Sequence, residues 1–297
     1  MHISVLLDES IDGLNIKSGE IIVDGTLGAG GHTLEIINRF NNKVKIICFD
    51  LDSDAIKRAK KLIEETKGDV VYENEGFQNI DKVLDRLKIE KVDKILLDLG
   101  ISSFQLEEGD RGFSFKKDEP LLMTMKTNPD DNDITAFEIV NNWDEENLVD
   151  IIYGFGEEKY SRKIAKGIVE ARLEKEIKTT FDLVAIIDKA VGKFYKGKKI
   201  NPATKTFQAL RIATNSELIN LEEVIQKGFN YLGNEGRMAI ISFHSLEDRI
   251  VKKAFVKLRQ ECKALIITKK PIIPSEEEIK TNPRCRSSKL RIIEKII

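Results

Sequence analysis

The residues best placed to do chemistry are a glycine run and the carboxylates that end short apolar segments. Asp24-Gly25-Thr26-Leu27-Gly28-Ala29-Gly30-Gly31-His32 follows one such segment, and its glycines permit a tight turn and close approach of a ligand to the backbone. Twenty residues past Gly30, a second apolar segment ends at Asp50, whose carboxylate can accept hydrogen bonds from both hydroxyls of a ribose. Together they point to a nucleotide-containing ligand. A further segment ends in Asp98-Leu99-Gly100, at the edge where open α/β sheets place ligands, so Asp98 is a second candidate polar contact.

A dinucleotide fingerprint asks for G-x-G-x-x-G, and here Thr33 stands at the third glycine position. The acidic start at Asp24 and the Gly28-Ala29-Gly30-Gly31 run suit S-adenosylmethionine better than NAD, although an NAD-dependent oxidoreductase shares the turn and Asp50. The plain structural alternative is a simple turn, with Asp50 and Asp52 capping the next helix. His32, opening a helix beside the glycines, fits a pocket-shaping role better than that of a base. His244 could face the site or could be satisfied locally at a helix start. Cys48, Cys262 and Cys285 lie far apart without a CxxC pair, and no two histidines have metal-ligand spacing, so neither a disulfide framework nor a metal site is expected.

The elements that must position these groups alternate. Strand-like runs at 20–24, 44–50, 69–72 and 92–98 are almost unbroken in Val, Ile and Leu, as in a parallel sheet buried on both faces. Between them, helical spacing opens near 32, runs over 54–66 behind Ser53 as N-cap, and covers 80–87. Residues 105–200 give no strand signal but offer a loop at 109–129 and helical stretches at 145–153, 158–173 and 180–194. A long helix over 204–232, a glycine turn at 232–237, a strand at 238–243 and a helix at 246–259 follow. Two β-like runs, 264–269 and 289–296, could pair antiparallel at the sheet edge. The expectation is an α/β fold: a sheet domain from 1–104 and 200–297, interrupted by a small all-α insertion at 105–199.

In 297 residues, 41% are hydrophobic and 33% charged, which allows a sizeable core. The formal charge of −2 neither advertises nor forbids an anionic partner. No apolar run approaches the ~18 residues a membrane span needs, and the start lacks a basic leader, so a cytoplasmic protein is expected.

Across nearly the whole chain the sequence resembles the bacterial small-subunit ribosomal RNA cytosine-N4 methyltransferases. The match rests on residues 2–9, 24–32, 98–106, 111–115, 156–158, 202–211, 242–252 and 282–291, in the family's order. The resemblance implies a Rossmann-like class I methyltransferase sheet with a helical insertion for the RNA substrate. It also implies methyl transfer from S-adenosylmethionine to a cytidine in the decoding region. Carried over by motif, the cofactor residues are Gly30, Gly31, His32, Asp50, Phe77, Asp98 and Gln105. The chain departs from the family at Leu122 and Thr124, where an acid and a base are usual, at Asn201, where histidine is usual, and at Lys205, where arginine is usual. Lysine there loses bidentate phosphate recognition. A ribosome-assembly factor that binds RNA and cofactor without turnover is the reading from a different class.

An exocyclic cytosine amine is a poor nucleophile because its lone pair is delocalised into the ring. An acceptor beside it can localise that pair and receive charge as nitrogen attacks the methyl group. Asp98 and the hydroxyls of Ser102 and Ser103 are the candidates. A flipped base needs an aromatic platform, for which Phe104 and Phe113 are candidates against an alternative of core packing. For the phosphates, Lys189, Lys193, Lys196, Lys198, Lys199, Lys205 and Arg211 occur with no intervening acid. Lys280, Arg284, Arg286, Lys289 and Arg291 form a second such run. With screening over about 8 Å, a phosphate feels these clusters more than the distant net charge. The partner expected is small-subunit ribosomal RNA or the 30S particle, with no membrane and the oligomeric state left open.

Overall fold

The computed structural model describes residues 4–107, 110–130, 132–198 and 200–296. Contacts divide the chain into two units, one made of Met1–Gly100 and Leu218–Ile297 and the other of Ile101–Glu217.

In chain order, the first unit begins with α1 (Leu7–Leu14), β1 (Ile21–Asp24), α2 (Gly31–Phe40), β2 (Lys45–Phe49), α3 (Ser53–Ile63), β3 (Asp69–Glu73), α4 (Ile80–Arg86) and β4 (Val92–Asp98). The second unit holds α5 (Ser103–Glu107), α6 (Ala136–Asn142), α7 (Glu145–Gly154), α8 (Ser161–Glu174), α9 (Thr180–Val191) and α10 (Thr204–Asn215). The first unit resumes within α11 (Glu217–Tyr231) and continues through β5 (Leu232–Ser242), α12 (Ser245–Gln260), β6 (Ala264–Ile266), α13 (Glu276–Thr281) and β7 (Lys289–Lys295).

The first unit is an α/β, Rossmann-like sheet in the order β3-β2-β1-β4-β5-β7-β6. The first five strands pair in parallel, and β7 runs antiparallel to both β5 and β6. Neighbouring residues of one strand enter opposite layers: Ile22 packs with Ile36, Ile46 and Leu96, while Val23 packs with Ile47, Ile95 and Val224. Burial on both faces is why these strands read as continuous apolar runs. From β1 the chain winds outward to β3 and then crosses back to β4, so the strand order reverses between β1 and β4. Their carboxyl ends, Asp24 and Asp98, flank that switch point.

The second unit is helical around a core that includes Phe113, Ile139, Ile152, Ile164, Leu183 and Leu210. Its only strand-like pairing among the described residues is the isolated bridge between Pro120 and Thr179. The sequence expectation began this unit at 105 and ended it at 199. In the structure α10 belongs to it as well, because Phe207 and Leu210 are buried in its core.

Three local expectations are corrected. Ser216, at φ 50°, breaks the long helix expected over 204–232 into α10 and α11. The segment expected as a glycine turn at 232–237 is the start of β5, and a register shift against β4 absorbs its extra residues. Asp52 rather than Ser53 caps α3, accepting from the amides of Asp54 and Ala55.

Candidate active site

The turn between β1 and α2 is held by groups from β1, from α2, from the end of β4 and from the residue that follows β2. Asp24, 1% exposed, accepts the Thr33 hydroxyl at 2.7 Å and the Thr26 amide at 3.1 Å. Thr26 Oγ1 in turn accepts the Asp98 amide at 2.6 Å, which ties the end of β4 to the turn. Gly28 adopts φ +51° and Gly30 φ +83°, a region costly for residues with a Cβ. At Gly30 a Cβ would also lie 3.0 Å from that of Ala59. Gly31 opens α2 with no side-chain cap on the helix, and a Cβ there would strike the Ser4 side chain. Phe77 sits over Gly25, where the missing Cβ makes room for it and for Leu97.

Asp50 follows β2 and faces the turn. Its Oδ2 accepts the Gly28 amide at 2.8 Å, and its Oδ1 accepts the Asp52 amide at 2.8 Å. Each oxygen keeps a further lone pair, so the carboxylate can still receive two sugar hydroxyls. Burial pushes its pKa to about 6, against the backbone hydrogen bonds that lower it. The reading of Asp50 as a mere helix cap is corrected by geometry: its bonds go to the turn and to Asp52, and Asp52 caps α3.

Asp98 ends β4 beside this turn. Burial first, then Asp24 and Glu247, hold its pKa well above the usual carboxylate range. Its Oδ1 is buried and has no hydrogen-bond partner among the described residues, while Oδ2 lies 3.9 Å from His32 Nδ1. A buried acceptor left unmatched costs about 1–3 kcal/mol, so it is a place where a ligand N–H or O–H is favoured. His32 is buried, with Nε2 3.2 Å from the Val5 carbonyl, in keeping with a pocket wall.

Gly30, Gly31, His32, Asp50, Phe77 and Asp98 thus surround one turn of the first unit and could hold a nucleoside with a charged tail. Thr26 and Thr33 are the contributors that sequence reasoning passed over; their only signal was a hydroxyl two and nine residues after a strand-ending acid. His244 is a helix cap: Glu247 accepts from the amides of Phe243 and His244, and His244 Nδ1 receives the Glu247 amide.

Gln105 belongs to the second unit, where it is buried. Its Oε1 accepts the Ser102 amide at 2.9 Å, and Ser102 Oγ accepts the Gln105 amide at 3.2 Å. The Ser102 hydroxyl therefore spends one lone pair capping α5. The Ser103 side chain, a candidate alongside it, lies outside the described residues. Phe104 is half-buried. Phe113 is 7% exposed and packed in the helical core, which corrects its expected role as a base platform.

Among the expected RNA contacts, Lys193, Lys196 and Lys198 are exposed, as are Arg284 and Arg286 in the turn before β7. Lys199 lies outside the described residues. Lys205 Nζ donates to the Glu157 carbonyl at 2.7 Å. Arg211 is corrected: its guanidinium makes two 2.8 Å bonds to Glu217, and its side chain is 16% exposed. Lys289 and Arg291 are likewise held by Asp248 at 3.0 and 2.7 Å.

Comparison with known proteins identifies the family. A ribosomal RNA small subunit methyltransferase H from Clostridium botulinum (strain Kyoto / Type A2) is 48% identical over 310 residues, covering 99% of each chain. A protein of that name from Clostridioides difficile (strain 630) is 43% identical with the same coverage. The crystal structure of an rRNA methylase from Streptococcus thermophilus covers 100% of both chains at 13% identity and TM-score 0.48, and adds nothing to the assignment. The model of the MraW methylase family matches residues 1–296, and the chain belongs to that family.

Proposed function

We propose that this protein transfers the methyl group of S-adenosylmethionine to the exocyclic N4 of a cytidine in the decoding region of small-subunit ribosomal RNA. The observation that carries the reading is the full-length correspondence with relatives named for methylation of that RNA. Bound S-adenosylmethionine would supply an electrophilic methyl group on a sulfonium. Asp50 would accept the sugar hydroxyls, Phe77 would offer an apolar surface beside Gly25, and the uncapped start of α2 at Gly30, Gly31 and His32 would receive a carboxylate. Buried Thr33 donates to Asp24 at the position where a dinucleotide turn needs glycine, which supports the methyl donor over NAD.

Asp98 would take a hydrogen bond from the cofactor's ammonium group or from the target amine through its unmatched oxygen. Gln105 is carried into the cofactor set by the family motif alone. Exposed Lys193, Lys196, Lys198, Arg284 and Arg286 would meet RNA phosphates, and such a substrate would place the enzyme in the cytoplasm. No helix among the described residues is long and apolar enough to cross a membrane.

The test is to incubate the purified protein with methyl-labelled S-adenosylmethionine and small-subunit particles that lack the modification. Mass spectrometry of the digested RNA should find N4-methylcytidine at one position. Label on another base, or none with either particles or naked RNA, would end the reading.

A further inference from the structure

Outside the cofactor turn, the second unit carries an ordered group of aromatic rings and lysines of which the methyl-transfer reading uses only Lys193 and Lys198, and those only as phosphate contacts. Tyr160 and Phe194 stack with centroids 4.6 Å apart and an interplanar angle of 20°. Lys159 Nζ lies 4.8 Å from the Tyr160 ring, and Lys163 and Lys193 lie 5.5 and 5.2 Å from that of Phe194. Lys198 reaches the Tyr195 ring at 4.5 Å and that of Tyr160 at 6.0 Å. All four lysines are exposed, and none forms an ion pair with a carboxylate among the described residues. Both stacked rings are only partly buried.

The arrangement is fixed from beneath. Glu158 is fully buried, accepting the Tyr160 amide at 2.9 Å through Oε1 and the Tyr195 hydroxyl through Oε2. Beside the rings lies an open depression of about 380 Å³ lined in part by Tyr195, Lys196, Lys198 and Asn201. Four ammonium groups around two rings repel one another, and among the described residues the carboxylate that shares their depression is the single exposed Asp188, which forms no ion pair with them. A polyanion with flat apolar faces would satisfy both features, whereas a duplex presents phosphates but hides its base faces.

We propose that Tyr160 and Phe194, ringed by Lys159, Lys163, Lys193 and Lys198, form a stacking platform for an unpaired nucleotide of the RNA substrate other than the one that is methylated. The proposal rests on the reading of this chain as an RNA methyltransferase and adds that the helical unit recognises single-stranded RNA by its bases as well as its phosphates.

The test uses the full chain without cofactor and a fluorescein-labelled single-stranded oligocytidylate, with binding read by anisotropy over a salt series. Phe194→Leu keeps an apolar side chain but loses the π face, and should weaken binding about tenfold without changing the salt slope. Phe194→Trp should retain wild-type affinity. Lys163→Gln with Lys193→Gln should flatten the slope by about 0.7 per lysine. Wild-type affinity in a folded Phe194→Leu protein, or equal losses in the Leu and Trp variants, would overturn the platform. If Phe194→Leu does not fold, an unchanged salt slope in the lysine pair would overturn it instead. Because these assays involve no methyl transfer, failure of the platform and failure of the proposed activity are separately visible.

Discussion

Oδ2 of Asp50 accepts the amide proton of Gly28 at 2.8 Å, so the carboxylate at the end of β2 also holds the turn between β1 and α2 in shape. Exchange for asparagine leaves one of the two backbone amides facing an NH2 group or forces the side chain to rotate. Asp50→Asn should lower affinity for S-adenosylmethionine by about 2 kcal/mol, roughly thirtyfold. Calorimetric titration checks this, and unchanged affinity would remove Asp50 from the cofactor's partners.

The same carboxyl group makes binding depend on pH. Burial raises its pKa from 3.8 to about 6, so within that window the folded protein binds more protons than the unfolded chain. This group's contribution to stability therefore falls as pH rises through the window. Sugar hydroxyls donate to the ionised form, so cofactor affinity should climb as pH passes through about 6 and then level off. The slope should vanish in Asp50→Asn; a slope of the same size in that variant would assign the titration to another group.

Asp98 carries the unmatched oxygen, and its burial beside Asp24 and Glu247 favours the neutral acid in the ligand-free protein. Asp98→Asn is close in shape but cannot take a negative charge. It should slow methyl transfer by at least about a hundredfold. A loss confined to KM would assign Asp98 to the cofactor, a loss in kcat would assign it to the target amine, and undiminished transfer would exclude both.

The basic segment divides into groups that bind and groups that fold. Arg211, bonded twice to Glu217, should cost about 1–3 kcal/mol of stability on replacement by alanine, with little change in the salt slope of RNA binding. Lys196→Glu, at an exposed position, should weaken RNA binding and spare cofactor affinity. Joint loss of RNA and cofactor binding in Lys196→Glu would mean misfolding.

Much of the first unit was legible because its physics is local. Ile46-Ile47-Cys48-Phe49 reads as a buried parallel strand from composition alone, and the glycines after Asp24 announce a turn. The pairing of Arg211 with Glu217 was invisible because the helix break at Ser216 brings them together, and Ser216 carries no breaker signal. Phe113 keeps the core-packing alternative and loses the base-platform one for a related reason: a phenylalanine in a glycine-bearing loop does not reveal that the loop folds back against helices. Thr26 entered the site through the Asp98 amide, a contact 72 residues apart in sequence that no motif spacing encodes. The stacked pair Tyr160 and Phe194 was hidden in the same way.

The central claim is that the turn from Asp24 to His32, braced by Asp50, seats S-adenosylmethionine. Calorimetric titration of one preparation with S-adenosylhomocysteine, the demethylated product, and with NAD tests it most directly. The account expects saturable one-to-one binding of S-adenosylhomocysteine that is lost or much weakened in Asp50→Asn, and no heat from NAD. Binding of NAD, or S-adenosylhomocysteine binding indifferent to Asp50→Asn, would contradict it.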